Sequence, residues 1–230
     1  MHRALAFPLV LVALLAQQLA AASAPACIAD QHGGLVCGEG NAAMRVVDDT
    51  ISPSKNYAFA WRGEQGLSVG DPPPPGVENL LIRLSDSTVL AKLGGEYWAT
   101  GEMRANRYQL VAVWSPDSRS VVEVANSRWD SDSFAYYRID GAAAAKLDLR
   151  ALVEPVMKAR LPPRKREGNS FSVRTDRPLT LDARGRLPFT AMLYVPKSET
   201  SNDYQIQVNI RTTGGKPSAQ VVSMRRVKAD

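Results

Sequence analysis

Two sets of carboxylates are the residues of this chain best suited to acid–base chemistry. Glu96 and Glu102 flank Tyr97-Trp98, and Asp130 and Asp132 follow Trp129. Glycoside hydrolysis uses such a pair, one carboxyl protonating the leaving oxygen while the other acts as nucleophile or activates water. Aromatic faces beside the pair would let a sugar stack. All four tryptophans fall between Trp61 and Trp129, which makes Trp98, Trp129, Asp130 and Asp132 the candidate ligand contacts. Trp61 and Trp114 lie in strand-like runs and read as core. Acidic residues beside turns are also commonplace, so a simple turn-forming role stands beside the catalytic one.

Histidine chemistry is nearly excluded. The histidines are His2 and His32, so a Ser-His-Asp or Cys-His site in an exported chain would have to be built on His32. No Gly-x-Ser-x-Gly elbow occurs. One loop histidine and two cysteines make a poor zinc set. Asp130-Ser131-Asp132-Ser133 lacks the glycine and distant glutamate of a calcium loop and reads as a hairpin turn. No catalytic residue is assigned, and no metal, cofactor or nucleic-acid partner is expected.

The N-terminus points to export. Met1-His2-Arg3 gives a positive start, residues 4–16 are uncharged and almost wholly apolar, and small residues follow to Ala24. That is the layout of a cleaved secretory leader over residues 1–24. The apolar run is shorter than the ~20 residues of a membrane-spanning helix, so no transmembrane segment is expected in the mature chain. A periplasmic or secreted location follows. A cut before Cys27 would instead expose it for lipid attachment, although Ala24-Pro25-Ala26-Cys27 lacks the leucine-like residue of such a site.

Export changes the meaning of the two cysteines, because an oxidising compartment permits a disulfide between Cys27 and Cys37. A redox-active pair would use a Cys-x-x-Cys spacing. The mature chain is otherwise ordinary for a globular protein, 45% hydrophobic and 22% charged over the full sequence. Its charge is divided unevenly. Residues 25–149 carry 11 Lys/Arg against 16 Asp/Glu, and residues 150–230 carry 16 against 7. The basic half either attracts an anionic partner or complements the acidic half.

Elements that would position these residues are mostly strands. Residues 57–61, 79–84, 88–93, 107–114, 120–125 and 134–139 have β-rich or alternating patterns, with a stiff Pro-rich loop over residues 71–76. Residues 147–161 predict a helix capped by Asp148, with an apolar stripe of Leu149, Leu152, Val153, Val156 and Met157 and an internal Pro155. Strands are expected again at 171–174, 178–182, 187–195, 204–212 and 218–227. The fold class is therefore mainly β and antiparallel with one short helix.

Two Ser-Pro turns organise the first half. Ile51-Ser52-Pro53-Ser54-Lys55 and Trp114-Ser115-Pro116-Asp117-Ser118-Arg119 both lead from an apolar residue into a strand. The second resembles the W-S-P-D-G-[KR] turn of WD-like, TolB-type β-propeller repeats, with Ser118 in place of the glycine. The resemblance covers roughly residues 51–147 and implies propeller-like blades. At least four blades are usual in a closed ring, so it implies a partial or hybrid scaffold. About function it implies little, since such scaffolds serve many roles.

The expected organisation is a leader (1–24), a propeller-like β region with the disulfide loop (25–147), a helix and basic linker (148–168) and a C-terminal β region (169–230). The last region either stands alone or completes the first. The expected function is a non-enzymatic binding or interaction module for an unknown protein or envelope polymer. A histidine-independent envelope hydrolase using Glu96/Glu102 or Asp130/Asp132 is the alternative.

Overall fold

The computed structural model describes residues 27–31, 33–64, 67, 76–195 and 201–228. The leader, His32 and most of the Pro-rich loop lie outside the described residues. Three antiparallel meanders follow one another, in each of which a strand pairs with the next in sequence. The first sheet joins β1 (Ile28–Ala29), β2 (Leu35–Cys37), β3 (Met44–Val46), β4 (Tyr57–Arg62), β5 (Glu78–Arg83) and β6 (Val89–Lys92). A small hairpin, β7 (Ala99–Thr100) and β8 (Met103–Arg104), leads to the second sheet: β9 (Gln109–Trp114), β10 (Ser120–Asn126), β11 (Ser131–Asp140) and β12 (Ala143–Asp148). After α1 (Leu149–Ala159) comes the third, β13 (Ser170–Val173), β14 (Arg186–Tyr194), β15 (Ser201–Thr213) and β16 (Lys216–Val227). None of the sheets closes into a barrel.

The second sheet is the middle layer, and its sequence explains why. Successive residues of a strand point to opposite faces, yet every residue of β10 is buried. Val121 and Ala125, with Ala135, Tyr137 and Ile139 of β11, pack on Phe59, Trp61, Leu81 and Leu90 of the first sheet. Val122 and Val124, with Phe134 and Tyr136, pack on Phe171, Leu187, Phe189 and Ile206 of the third. A strand buried on both faces reads as an apolar run rather than an alternation, which is how Val121-Val122-Glu123-Val124-Ala125 reads.

The two Ser-Pro turns have the same hydrogen-bond pattern. Ser52 N–H donates to Tyr57 O, Tyr57 N–H to Ser52 Oγ, and Lys55 N–H to Ser52 O. Ser115, Ser120 and Ser118 repeat this residue for residue. Lys55 and Ser118 both take left-handed backbone, φ 58° and 56°, at the place where the repeat motif carries glycine. The turns also touch, because Ser54 N–H donates to Ser118 Oγ at 3.0 Å.

The helix forms where the apolar stripe and cap place it. Asp148 Oδ1 accepts from Ala151 N–H, while Leu149, Val153 and Met157 are buried in the core between the second and third sheets. Val156 faces solvent instead. The strand expected at 178–182 does not form. Pro178 offers no N–H, and the Asp182 carboxylate accepts from Arg184 N–H and Arg186 N–H, so this irregular segment leads into a turn at 183–184. Alanine-rich β12, conversely, is not a strand by propensity, but it pairs along the ten-residue β11.

Cys27 and Cys37 are disulfide-bonded, one step beyond the Ile28–Val36 pair of β1 and β2. Closing a loop of sequence separation 10 restricts the unfolded chain and stabilises by about 2–3 kcal/mol. A Cys27→Ser/Cys37→Ser variant is expected to lose about that much in urea unfolding. Two free thiols in the wild type made under oxidising conditions, detected by alkylation and intact mass, would refute the bridge.

Candidate functional site

An open groove of about 1140 Å³ lies where the second sheet meets the start of the third. One wall runs from Glu102 through β8 to Gln109, another comprises Asn126, Ser127 and Arg128 at the end of β10, and the third runs from Ser172 to Asp176, the end of β13 and the turn after it. Trp98 and Tyr108 also line it. Its back is a polar seam. Asn126 Nδ2 donates to Val173 O (3.0 Å), Val173 N–H to Ser131 Oγ (2.9 Å), and Phe171 N–H to Asp130 Oδ1 (3.1 Å). Three side chains of the second sheet thus occupy the outer backbone edge of β13, which would otherwise stand open.

That seam fixes the role of Asp130 in the fold. Its second carboxylate oxygen pairs with Arg150 Nη2 at 2.9 Å, and Arg150 also binds Glu154 at 2.8 Å. Asp132 lies on the solvent side and accepts from Ser127 Oγ (3.0 Å). Desolvation pushes its pKa above the ordinary aspartate value, with the charges of Asp130 and Glu96 adding to the rise. Glu102 lines the groove, whereas Glu96 lines a separate cavity with Arg62, Glu78 and Lys92. The two glutamates therefore face different spaces.

Of the candidate aromatics, Trp98 lines the groove, and Trp129 does not, although its neighbour Arg128 does. The Trp98 ring meets Trp61 edge-on at a centroid distance of 6.4 Å. Trp129 is 42% exposed, packs on Tyr194, and carries the Arg128 guanidinium over its ring at 4.4 Å. Trp61 is core, as its strand position implies, and its indole N–H donates to Ala99 O. Trp114 is half-buried and donates to Thr50 O.

Cations give the groove its character. Arg174 is held by Asp176 and Asp203, with N–O distances of 2.7 and 2.9 Å. Its hydrogen bond lowers Asp176 to about 2. Arg104, Arg107 and Arg128 are exposed and enter no ion pair or side-chain hydrogen bond among the described residues. Elsewhere in residues 27–149, Arg45, Arg62, Arg83, Lys92 and Arg138 have carboxylate partners, whereas Lys55, Arg119 and Lys146 enter no ion pair among the described residues. Arg107 also sits at φ 63°, a backbone region that an arginine occupies only at a local cost of about 1 kcal/mol.

No family model matches the chain, and a search of the curated proteins finds no match. The chemistry must therefore be argued from the site. Among the described residues no group of three or more His, Cys, Asp or Glu could hold a metal ion. No helix among them is long and apolar enough to cross a membrane.

Sequence reasoning missed the three arginines because no periodicity links them, and only folding brings positions 104, 107 and 128 to one space. It also missed Glu123, which is fully buried. Glu123 Oε1 accepts from Gly94 N–H (2.7 Å), and Oε2 accepts from Tyr137 Oη (2.9 Å) and Ser133 Oγ (3.1 Å). Burial raises both its pKa and that of Tyr137, whose proton is held further by the Glu123 charge. A charge inside Val-Val-Glu-Val-Ala was the available signal. Neither residue lines the groove, and their bonds tie the segment after β6 to the second sheet.

Proposed function

We propose that this chain is an exported, non-enzymatic binding module of the periplasm or cell envelope, and that it holds its partner in the groove between the second and third sheets. The observation that carries the reading is the convergence of Arg104, Arg107 and Arg128, without carboxylate partners, in a half of the chain where acidic residues outnumber basic ones. Solvated cations brought together in a concave space favour an anionic partner. The leader-like N-terminus and the disulfide support the compartment. The paired Ser-Pro turns support a blade-like scaffold of the WD-like, TolB type, on which binding surfaces are built.

The carboxylates favour this reading over hydrolysis. Asp130 is committed to Arg150 and the β13 edge, and Glu96 and Glu102 line different cavities. Asp132, with its raised pKa, is the one candidate left with acid character. Expressed in its native compartment and cross-linked there, the wild-type protein is expected to retain an envelope component. An Arg104→Ala/Arg107→Asn/Arg128→Ala variant of unchanged thermal stability should lose at least about tenfold of it, since exposed pairs contribute up to about 1 kcal/mol each. Equal retention would reject the groove as the binding surface. Cleavage of an envelope polymer, lost in a stable Glu96→Gln, Glu102→Gln, Asp130→Asn or Asp132→Asn variant, would replace the binding reading with the hydrolytic one.

A further inference from the structure

We infer that the ligand of this groove is an acidic glycan, a sugar chain bearing carboxylate or phosphate groups at intervals. The inference rests on the groove being the binding surface. Three features select the chemistry. Arg104, Arg107 and Arg128 all line the groove, and guanidiniums pair bidentately with carboxylate and phosphate. They come from β8, the turn before β9 and the turn after β10, so an oligoanion lying in the groove meets charges supplied by three segments.

Beside them in the groove stand Trp98, Tyr108 and neutral polar groups, the complement of a sugar ring's apolar face and hydroxyls. Trp98 is fixed by its edge contact with Trp61, and Arg128 is fixed over Trp129. Such preorganisation lowers the ordering cost of binding. Asn106 is exposed at the rim between two of the arginines in sequence.

A peptide ligand fits less well. Extended peptides commonly add a strand to an open sheet edge and drop alternate side chains into apolar pockets. Here the β13 edge is already occupied by Asn126, Asp130 and Ser131, which take Val173 O, Phe171 N–H and Val173 N–H. The walls are formed mainly by polar and charged side chains, with Met103, Ala105 and Val173 as the aliphatic exceptions.

Calorimetric titration of the mature chain tests this with four probes of similar length: oligogalacturonate, its methyl ester, a phosphate-bearing sugar polymer and polyglutamate. Either acidic sugar polymer is expected to bind at least about tenfold tighter than both the neutral ester and polyglutamate, and the better of the two identifies the anionic group. Binding should weaken about threefold for each arginine removed, about thirtyfold in the Arg104→Ala/Arg107→Asn/Arg128→Ala variant, and should fall with added salt. Trp98→Ala should weaken sugar binding without altering the salt dependence. Polyglutamate binding as tightly as the sugars would overturn the glycan assignment in favour of a peptide or a charge-only surface. Binding of neither acidic sugar would overturn it as well. In both cases, native capture that still depends on the three arginines leaves the binding-module reading intact, whereas capture that ignores them removes both.

Discussion

Replacing Glu123 with alanine is expected to lower the unfolding free energy by about 3–5 kcal/mol, among the largest effects of any side-chain truncation outside the apolar core. The carboxylate is the shared acceptor for Gly94 N–H, Ser133 Oγ and Tyr137 Oη. Truncation leaves the half-buried Gly94 N–H and the buried Ser133 and Tyr137 hydroxyls without their shared acceptor and opens a void between two sheets. Gly94 has no slack to compensate, since even a Cβ there would lie 2.3 Å from Ser133 Cβ. Glu123→Gln should cost less than about 1 kcal/mol, because the amide oxygen can replace Oε1 and the two hydroxyls can rotate to accept from the amide nitrogen.

The pair of variants also separates charge from packing through pH. Burial raises the folded-state pKa of Glu123 above its ordinary value of 4.5, against the opposing pull of its hydrogen bonds and of Lys146. The native state therefore holds this proton more tightly than the unfolded chain does. Its contribution is fully present below the ordinary value and is lost as pH rises through the raised one. Urea midpoints measured from about pH 4 to about pH 8 should fall less steeply for Glu123→Gln than for wild type. Parallel pH profiles would mean that Glu123 is no more buried in solution than a surface carboxylate.

The same residue shows what could and could not be read from the sequence. Strand positions, the Asp148 cap and the Ser-Pro turns were legible because each depends on neighbours a few residues away. The middle-layer role of β10 was legible only in part: its apolar run announces burial on both faces, but nothing local says which sheets cover it. The seam was opaque for a similar reason. Asp130 reads as a candidate ligand contact because its partners, Arg150 and Phe171 N–H, are 20 and 41 residues away. The arginines of the groove read as ordinary surface charges, and they stand out only once the fold brings them to one concave space. Chemistry that depends on convergence from separate segments leaves no local pattern.

Gly185→Ala is expected to destabilise by about 3 kcal/mol or more, through a clash that no side-chain rotation can relieve. Gly185 closes the turn between the 178–182 segment and β14, with its N–H donating to Asp182 O and its carbonyl accepting from Ile210 N–H at 2.8 Å. A Cβ there would stand 2.2 Å from Ile210 O, a backbone atom held within the β15–β16 ladder. The residue also has φ +75°, which adds about 1 kcal/mol for any side chain. Gly141→Ala isolates that second contribution, since Gly141 has φ +59° and a Cβ added there would meet nothing within 4 Å. The difference in urea unfolding between the two variants therefore measures the close approach alone. Because Gly185 sets the Arg186–Asn209 end of the β14–β15 pairing, the damage should appear first as faster hydrogen exchange along those strands. Groove binding should weaken only as the third sheet opens, since the groove takes its third wall from β13 and the loop after it. A Gly185→Ala protein as stable as the Gly141→Ala protein would mean that the turn and β15 do not meet this closely.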